Sequence, residues 1–400
     1  MATGYRPEVI QRAFVDFVGS RLHPFWSLTA PKLRLLRRYA LSQDLIALQF
    51  ETNQAFRQQA SDWQGGQYLN LNVLIDGIYH QRSYSLVGLA HQPLWWQDDI
   101  HDKSRKNRSN LTVTIAVKPQ GLVSNYLTKR MPLGTTLNSS VPSGSFTLAQ
   151  ASLTQSTSTD KHATAATLKQ PASLLFIAGG SGITPMLGLI TQALQCQYEV
   201  TLLHYNRTVL LEKQWQQLAA MYPAFTYHLI NTEDANSYLT GTRHLSTDSL
   251  LALDLPLADT QIFACGSRAL LTGLYTATDK ISLPNGKQLR DHVIVENFGN
   301  VLPNFYSDQT HDKAEKPDKQ TIYLRTRQRQ FSSDTTLLMA AEKVGIRLTH
   351  GCRQGICQLC RCHKISGVVK NIQTGKMSSD GDEFIQTCIN VAMTDIVLDV

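Results

Sequence analysis

The sequence predicts a multidomain protein: an antiparallel β-barrel, then an α/β domain, then a small α+β domain. Three observations carry this. Between Pro31 and Gln150, short runs alternate apolar and polar residues (LRLLRRYA, LIALQF, YLNLNVLI, LTVTIAV) and are punctuated by Gly and Asn, the pattern of antiparallel strands. From Ser173 the unit becomes strand, glycine turn, helix, strand, in SLLFIA, GGSGITP, MLGLITQAL and YEVTLLHY. Near the C-terminus, Cys352, Cys357 and Cys360 form a C-x4-C-x2-C loop, and Cys388 follows after 27 further residues. A chain of 400 residues is also too long for one core.

Bulk composition, 42% apolar and 17% charged, is that of a soluble globular protein. The net charge of +7 suits nucleic acid, an anionic membrane or an acidic partner protein. There is no nucleic-acid-binding motif and no long basic run, so no nucleic-acid partner is expected. The three cysteines outside the loop pattern, Cys196, Cys265 and Cys362, are an odd number and do not form a disulfide framework. A reducing cytoplasm fits best. Glu8 and Asp16 interrupt any apolar N-terminal core, so no signal peptide is read. No charge occurs between Lys169 and Glu199, but Gly179, Gly180, Gly182 and Pro185 lie inside that stretch. It reads as strand then helix rather than a membrane span.

Taken in order, residues 1–30 are an N-terminal helical extension. Pro7 suits a first helical turn, and Val9, Ile10, Phe14, Phe17 and Val18 recur at helical spacing. The expectation is that this face packs on the body of the protein; the other reading is a membrane-surface or partner-docking role. Residues 31–150 are the barrel. Within it, alternation puts Arg82 and Tyr84 on the opposite strand face from Ser83 and Ser85, and Gly121 with Ser124 at a helix start can cradle phosphate through backbone amides. Residues 91–110 read as a surface insertion, with Trp95 and Trp96 embedded, and residues 151–170 as a flexible connector.

Residues 171–300 form the α/β domain, a nucleotide-binding unit whose glycine turn opens a helix. Cys196 is expected on a helix in a structural role. IFACGSRAL places Cys265 and Gly266 at a strand end, where a buried small hydrophobe is the competing reading of Cys265. His204, Tyr205, Asn206 and Arg207 follow the second strand, where an arginine can pair with a ribose 2′-phosphate, which favours NADPH over NADH. Residues 301–319 read as a linker, and about 19 flexible residues span roughly 24 Å.

Residues 320–400 form the third domain: a strand from Thr321, a helix over Thr335 to Val344, the cysteine loop, a strand from Arg361 to Val369 and a last strand near Ile396. The cysteine spacing is the plant-type arrangement for a [2Fe-2S] cluster, with Cys352, Cys357, Cys360 and Cys388 as ligands. Chance spacing of thiols and a structural zinc site are the competing readings. Cys362 is expected buried beside the cluster. The domain holds ten Lys or Arg against seven Asp or Glu, a difference of +3.

The run Arg82 to Ser85 resembles the RxYS flavin motif of the ferredoxin-NADP reductase superfamily, and VKPQGLVSNYL resembles its flavin-phosphate segment. The resemblance implies that Arg82 holds flavin phosphate, Tyr84 lies against the isoalloxazine ring, Ser85 bonds near its reactive nitrogen, and Gly121 and Ser124 bind phosphate. FAD is implied rather than FMN. GGSGITP resembles the family's NAD(P)H loop, in which Gly179, Gly180, Gly182, Ile183, Thr184 and Pro185 approach pyrophosphate and nicotinamide. Cys265 and Gly266 resemble its CG motif, although Ser267 stands where many relatives have proline, and Glu296 and Phe298 resemble its closing acidic and aromatic pair. The third domain resembles a plant-type ferredoxin with a β-grasp fold; such ferredoxins are commonly acidic, and this one is not.

These likenesses imply an NAD(P)H:acceptor oxidoreductase passing electrons through flavin and cluster to an external acceptor. Pro24 to Leu28 and HGCRQGICQLCRCHKISGVVKNIQTGKMSS further resemble bacterial reductases associated with fatty-acid desaturases. A membrane acyl-CoA or acyl-lipid desaturase is thus the expected acceptor, with a peripheral contact at the inner membrane face. The alternative is the reductase component of a Rieske-type aromatic-ring or carnitine-type oxygenase. A redox-sensing cluster protein is a third reading, which leaves the nicotinamide loop and CG segment unexplained.

Overall fold

A computed structural model describes residues 7–96, 111–151, 153–154, 168–169, 171–296, 298, 319–350, 359–372 and 377–400. The chain divides into two compact units, one of Met1–Gly266 with Thr276–Glu296, the other of Ser267–Tyr275 with Asn297–Val400.

The first unit opens with α1 (Pro7–Leu22). The strands β1 (Lys32–Ser42) and β2 (Leu45–Thr52) form a hairpin, followed by the short α2 (Gln54–Gln59), which Asn53 caps by accepting from the Phe56 N–H. A second hairpin joins β3 (Tyr68–Ile75) to β4 (Ile78–Ser85). Its turn is Asp76–Gly77, both at positive φ (49° and 78°), the left-handed pair that a two-residue hairpin needs to match strand twist. Then come β5 (Thr112–Val117), the single-turn α3 (Leu122–Asn125) and β6 (Thr136–Ser139). The sheet order is β4-β3-β6-β1-β2-β5, and a Leu86–Ile115 bridge links the chain just after β4 to β5. Alternate residues such as Leu33, Leu35, Leu48, Phe50, Leu69 and Leu71 turn inward to a buried core.

The predicted connector contributes a small antiparallel pair at its ends, β7 (Leu153–Thr154) with β8 (Leu168–Lys169). A five-stranded parallel sheet follows, built from β9 (Ser173–Gly179), β10 (Glu199–Asn206), β11 (Phe225–Asn231), β12 (Thr260–Cys265) and β13 (Val293–Glu296) in the order β11-β10-β9-β12-β13. Its connections include α4 (Ile183–Gln195), α5 (Glu212–Met221) and α6 (Thr247–Leu251), and the chain between β12 and β13 contains α7 (Arg268–Thr278), whose residues up to Tyr275 belong to the second unit. Every residue of β9 from Ser173 to Ala178 is buried, as a central parallel strand requires. The antiparallel and parallel parts share one core: Leu41, Leu45 and Phe146 pack in the same cluster as Phe176, Ile190 and Trp215.

Two sequence expectations fail in this unit. The α1 face bearing Phe14, Phe17 and Val18 is exposed, not packed on the body; the contacts come from the other face, through Asp16 and Gly19. Conversely, the start of the 91–110 segment is docked rather than a free surface insertion. Trp95 Nε1 donates to Thr191 Oγ1 at 3.1 Å on α4, its ring lies 5.9 Å from Trp215 on α5, and Gln217 donates to its carbonyl at 3.1 Å. Apolar burial of the two indoles outweighs the polar character of the surrounding sequence. Cys196 lies immediately beyond α4 and is exposed, because the helix ends at Gln195.

The second unit holds β14 (Gln320–Leu324), β15 (Arg329–Ser333), α8 (Leu337–Lys343), β16 (Arg361–Ser366), β17 (Val369–Asn371), β18 (Glu383–Gln386), β19 (Asn390–Ala392) and β20 (Ile396–Asp399). Its main sheet is mixed, order β15-β14-β20-β16-β18, with β14 and β20 parallel. Leu337, Leu338 and Ala341 of α8 pack with Ile322, Leu324, Ile396 and Leu398. Lys364 is fully buried, and its ammonium donates to the carbonyls of Gly367 (2.7 Å), Ser379 (2.9 Å) and Gly381 (2.5 Å) while lying 3.3 Å from Glu383.

Candidate redox site

The glycine turn after β9 places backbone where side chains would collide. Gly180 adopts φ +57°, and a Cβ on Gly182 would lie 2.1 Å from the Cys265 carbonyl oxygen and 2.9 Å from the Gly266 nitrogen. The predicted nicotinamide loop and CG segment are therefore in direct backbone contact. Gly179, Ile183 and Pro185 flank this approach, and Thr184, buried in the first turn of α4, donates to the Ser181 carbonyl at 3.1 Å. No side chain caps α4 and no acidic residue lies in its first turn, so its leading amides retain their affinity for an anion.

On the other side of Gly182, β12 and β13 bring Cys265 into register with Glu296. Glu296 Oε2 is sealed from solvent without a hydrogen-bond partner among the described residues, and burial raises the carboxyl pKa to about 8. Burial, with Glu296 adding a smaller contribution, raises the Cys265 thiol well above its ordinary range. The thiol therefore stays protonated. Phe298 is exposed.

The RSYS strand meets α4 at its end. A Cβ on Gly188 would lie 3.1 Å from the Leu86 carbonyl oxygen and 3.2 Å from the Gly65 Cα, while one on Gly65 would lie 2.3 Å from the Gly188 carbonyl oxygen. Ser85, one residue before Leu86, is thus held near the helix that carries Thr184. Its Oγ is buried and has no partner among the described residues. An orphaned hydroxyl costs stability unless a ligand satisfies it, so this atom fits a bound ring acceptor. Tyr84 packs on the core of the six-stranded sheet, and burial pushes its phenol up to about 12. Arg82 is exposed and donates to the Gln81 carbonyl at 2.7 Å. Ser124 Oγ accepts from the Gly121 N–H at 2.8 Å and the Gln120 N–H at 3.1 Å, which closes the turn before α3. Its hydroxyl oxygen is occupied in shaping that turn.

Sequence patterning assigns His204 no role and places it after the second strand, whereas it lies within β10. It sits near the C-terminal end of β10, opposite Ala178, buried with Nε2 unpartnered among the described residues. Burial lowers its pKa to about 4, against the opposing effect of a backbone hydrogen bond with Gly180; nearby Lys118 lowers it further. The signal was its place at the carboxyl edge of a parallel sheet, beside the crevice where such folds bind ligands. Arg207, three residues on, is exposed.

In the second unit, Cys360 and Cys388 are buried with their sulfurs 3.1 Å apart, too far for a disulfide bond of about 2.0 Å and close enough to converge on one metal centre. Thr387 donates its N–H to the Cys360 carbonyl at 3.0 Å and fixes the approach. Cys352 and Cys357 lie outside the described residues. Cys362 is half-buried on β16, not fully enclosed, and burial raises its thiol to about 12.

Comparison with known proteins agrees with both halves. Residues 176–275 match the oxidoreductase NAD-binding domain, and residues 322–392 match the 2Fe-2S iron-sulfur cluster binding domain. The chain is 25% identical over 386 residues to an NADPH oxidoreductase of Mycobacterium tuberculosis, covering 94% of this chain and 86% of that protein. It is 25% identical over 395 residues to a component of the 1,2-phenylacetyl-CoA epoxidase of Escherichia coli, covering 94% and 97%. A reductase component of glycine betaine monooxygenase from Chromohalobacter salexigens is 22% identical over 357 residues, covering 84% and 86%. The fold is similar to part of an intact type IV self-sufficient cytochrome P450 monooxygenase, with a TM-score of 0.53 and 18% identity over 93% of this chain; it spans 41% of that structure.

Proposed function

We propose that this NAD(P)H-dependent oxidoreductase with FAD and a [2Fe-2S] cluster serves as a reductase component, with a membrane fatty-acid desaturase as its acceptor and NADPH as its donor. The electron-transfer reading is carried by the contact of Gly182 with Cys265 and Gly266 beside the unpartnered Ser85 and Glu296. Bound FAD supplies the conversion between two-electron hydride chemistry and one-electron transfer.

The protein's part is binding, orientation and exclusion of water. Arg82, Gly121 and the turn shaped by Ser124 hold the flavin phosphates, and Ser85 Oγ donates to the ring. Tyr84 stays neutral at physiological pH and forms an apolar wall. Gly179 to Pro185 seat pyrophosphate and nicotinamide on the open start of α4, and Arg207 favours a 2′-phosphate. The protonated Cys265 thiol and Glu296 carboxyl would line the dihydronicotinamide position without adding charge, and the resemblance gives Phe298 the role of the closing aromatic residue. Cys352, Cys357, Cys360 and Cys388 hold the cluster.

The desaturase assignment rests on the likeness of Pro24 to Leu28 and of residues 350–379 to desaturase-associated reductases. The relatives named as oxygenase components support a second reading, a Rieske-type or carnitine-type oxygenase. Reconstitution decides between them. The purified chain, NADPH and membranes bearing a desaturase should yield desaturated acyl product under oxygen. Turnover with an aromatic-ring dioxygenase, but none with the desaturase, would overturn the preferred acceptor.

A further inference from the structure

The apolar side of α1 has no partner among the described residues. Phe14 is 65% exposed and Leu22 76%, with Val15, Phe17 and Val18 also open. At 100° per residue these side chains and Arg21 cover an arc of about 160°. The opposite side is committed to the protein. The Asp16 carboxylate accepts from Ser27 Oγ (2.8 Å), the Leu28 N–H (2.7 Å) and Thr29 Oγ1 (2.7 Å), and Gly19 lies against the Trp26 ring. The helix is thus held by its polar side with its apolar side outward.

We propose that this side of α1 is a peripheral membrane anchor that inserts into the headgroup region of an anionic bilayer. Two observations choose this occupant. Residues 1–42, from the N-terminus through β1, carry seven Lys or Arg (Arg6, Arg12, Arg21, Lys32, Arg34, Arg37, Arg38) against Glu8 and Asp16, so +5 of the chain's +7 is gathered there. Arg34 pairs with Glu51, and Asp16 and Lys32 are both turned inward, which still leaves Arg6, Arg12, Arg21, Arg37 and Arg38 against Glu8. Such a segment is attracted to anionic headgroups. The second observation is size. Five apolar side chains on a little over two helical turns fall far short of the roughly 800 Å² per partner of a stable protein interface, whereas shallow insertion needs no more than such a face. The guanidinium of Arg21 lies over the Phe17 ring at 4.4 Å, an arrangement that lets the charge stay at headgroup level while the ring descends.

The inference deepens the membrane-acceptor reading, and for its purpose rests on it, but its test needs no acceptor. The full chain is sedimented with phosphatidylcholine vesicles containing about a third phosphatidylserine, and with phosphatidylcholine alone. Binding is expected to the first, weakened by salt, and far less to the second. The triple variant Phe14→Ser, Phe17→Ser, Leu22→Ser should lower the partition coefficient at least about tenfold while NADPH-dependent ferricyanide reduction is unchanged. Leu22→Glu alone, at the most exposed of these positions, gives the same direction if the triple variant fails to fold. Equal partition of variants and wild type, or no anionic-vesicle binding by the wild type, overturns the proposal. So does a wild-type dimer that the variants dissociate, since a second copy would then cover the face. Vesicle binding with no desaturase turnover would remove the acceptor reading and leave the anchor standing.

Discussion

The two units prepare for their ligands in opposite ways. In the flavin and nucleotide unit the site is marked by unused hydrogen-bonding capacity, on Ser85 Oγ, His204 Nε2 and Glu296 Oε2, and by backbone approaches that only glycine allows. In the ferredoxin-like unit, among the described residues, Lys364, a fully buried cation, has three carbonyl acceptors and a nearby carboxylate, and Thr335 Oγ1 is the one buried side-chain polar atom without a partner. There the site is marked by two buried sulfurs brought within 3.1 Å. An organic ligand with many polar atoms is met by directional partners spread over several elements. A compact metal centre is met by a few soft donors, Cys388 among them in the turn between β18 and β19.

The sharpest way to break that contrast is to remove one sulfur. Cys388→Ser should abolish cluster absorption and reduce NADPH-dependent cytochrome c reduction to background, because three thiolates leave one cluster position without its soft donor. Flavin bleaching by NADPH, followed by stopped flow, should stay within about twofold of wild type, since Ser85, Gly179 to Pro185, Cys265 and Glu296 all belong to the other unit. Loss of both signals together would show that the two sites are not separable in this way.

A smaller effect is expected from filling a backbone contact. Gly182→Ala places a methyl group 2.1 Å from the Cys265 carbonyl oxygen and 2.5 Å from its carbon, so the turn or the strand end must move. A displacement of about 1 Å at a hydride-transfer site costs on the order of a hundredfold in rate. The rate of flavin reduction by NADPH should fall by about that factor, with the cluster spectrum unchanged. A variant as fast as wild type would mean that the loop and the CG segment do not act as one surface.

Much of the architecture was legible because each region obeys one pattern. SLLFIA and YEVTLLHY read as buried parallel strands since both faces are covered, and β9 and β10 appear there. The cysteine spacing marked a metal site without any knowledge of fold. What could not be read was three-dimensional pairing. Nothing in HQPLWW tells that Trp95 docks on Thr191 and Trp215 across roughly a hundred residues, and helical periodicity found the apolar side of α1 but not its direction. His204 escaped because its meaning lies in an unpartnered nitrogen, a property of the surroundings rather than of the residue.

The smallest predicted effect concerns the charge state of the nucleotide site. Burial raises the Glu296 carboxyl from 4.5 to about 8, so the folded chain holds a proton there that the unfolded chain releases above about pH 4.5. Stability from this group is therefore present at low pH and declines as pH rises from about 5 through about 8, the reverse of an ion-paired carboxylate. Glu296→Gln keeps the neutral shape and cannot ionise. Its melting temperature, measured on apoprotein by calorimetry, should lose less than the wild type's over that interval, the difference being about 2–4 °C for each kcal/mol in a unit of this size. The same variant should support hydride transfer with a flatter alkaline limb, because wild type must ionise a carboxyl beside Cys265 as pH approaches about 8. Identical pH slopes in the two proteins would show that Oε2 is reached by water in solution, and that the contrast between an unsatisfied nucleotide site and a satisfied ferredoxin interior is less complete than Ser85 and His204 make it.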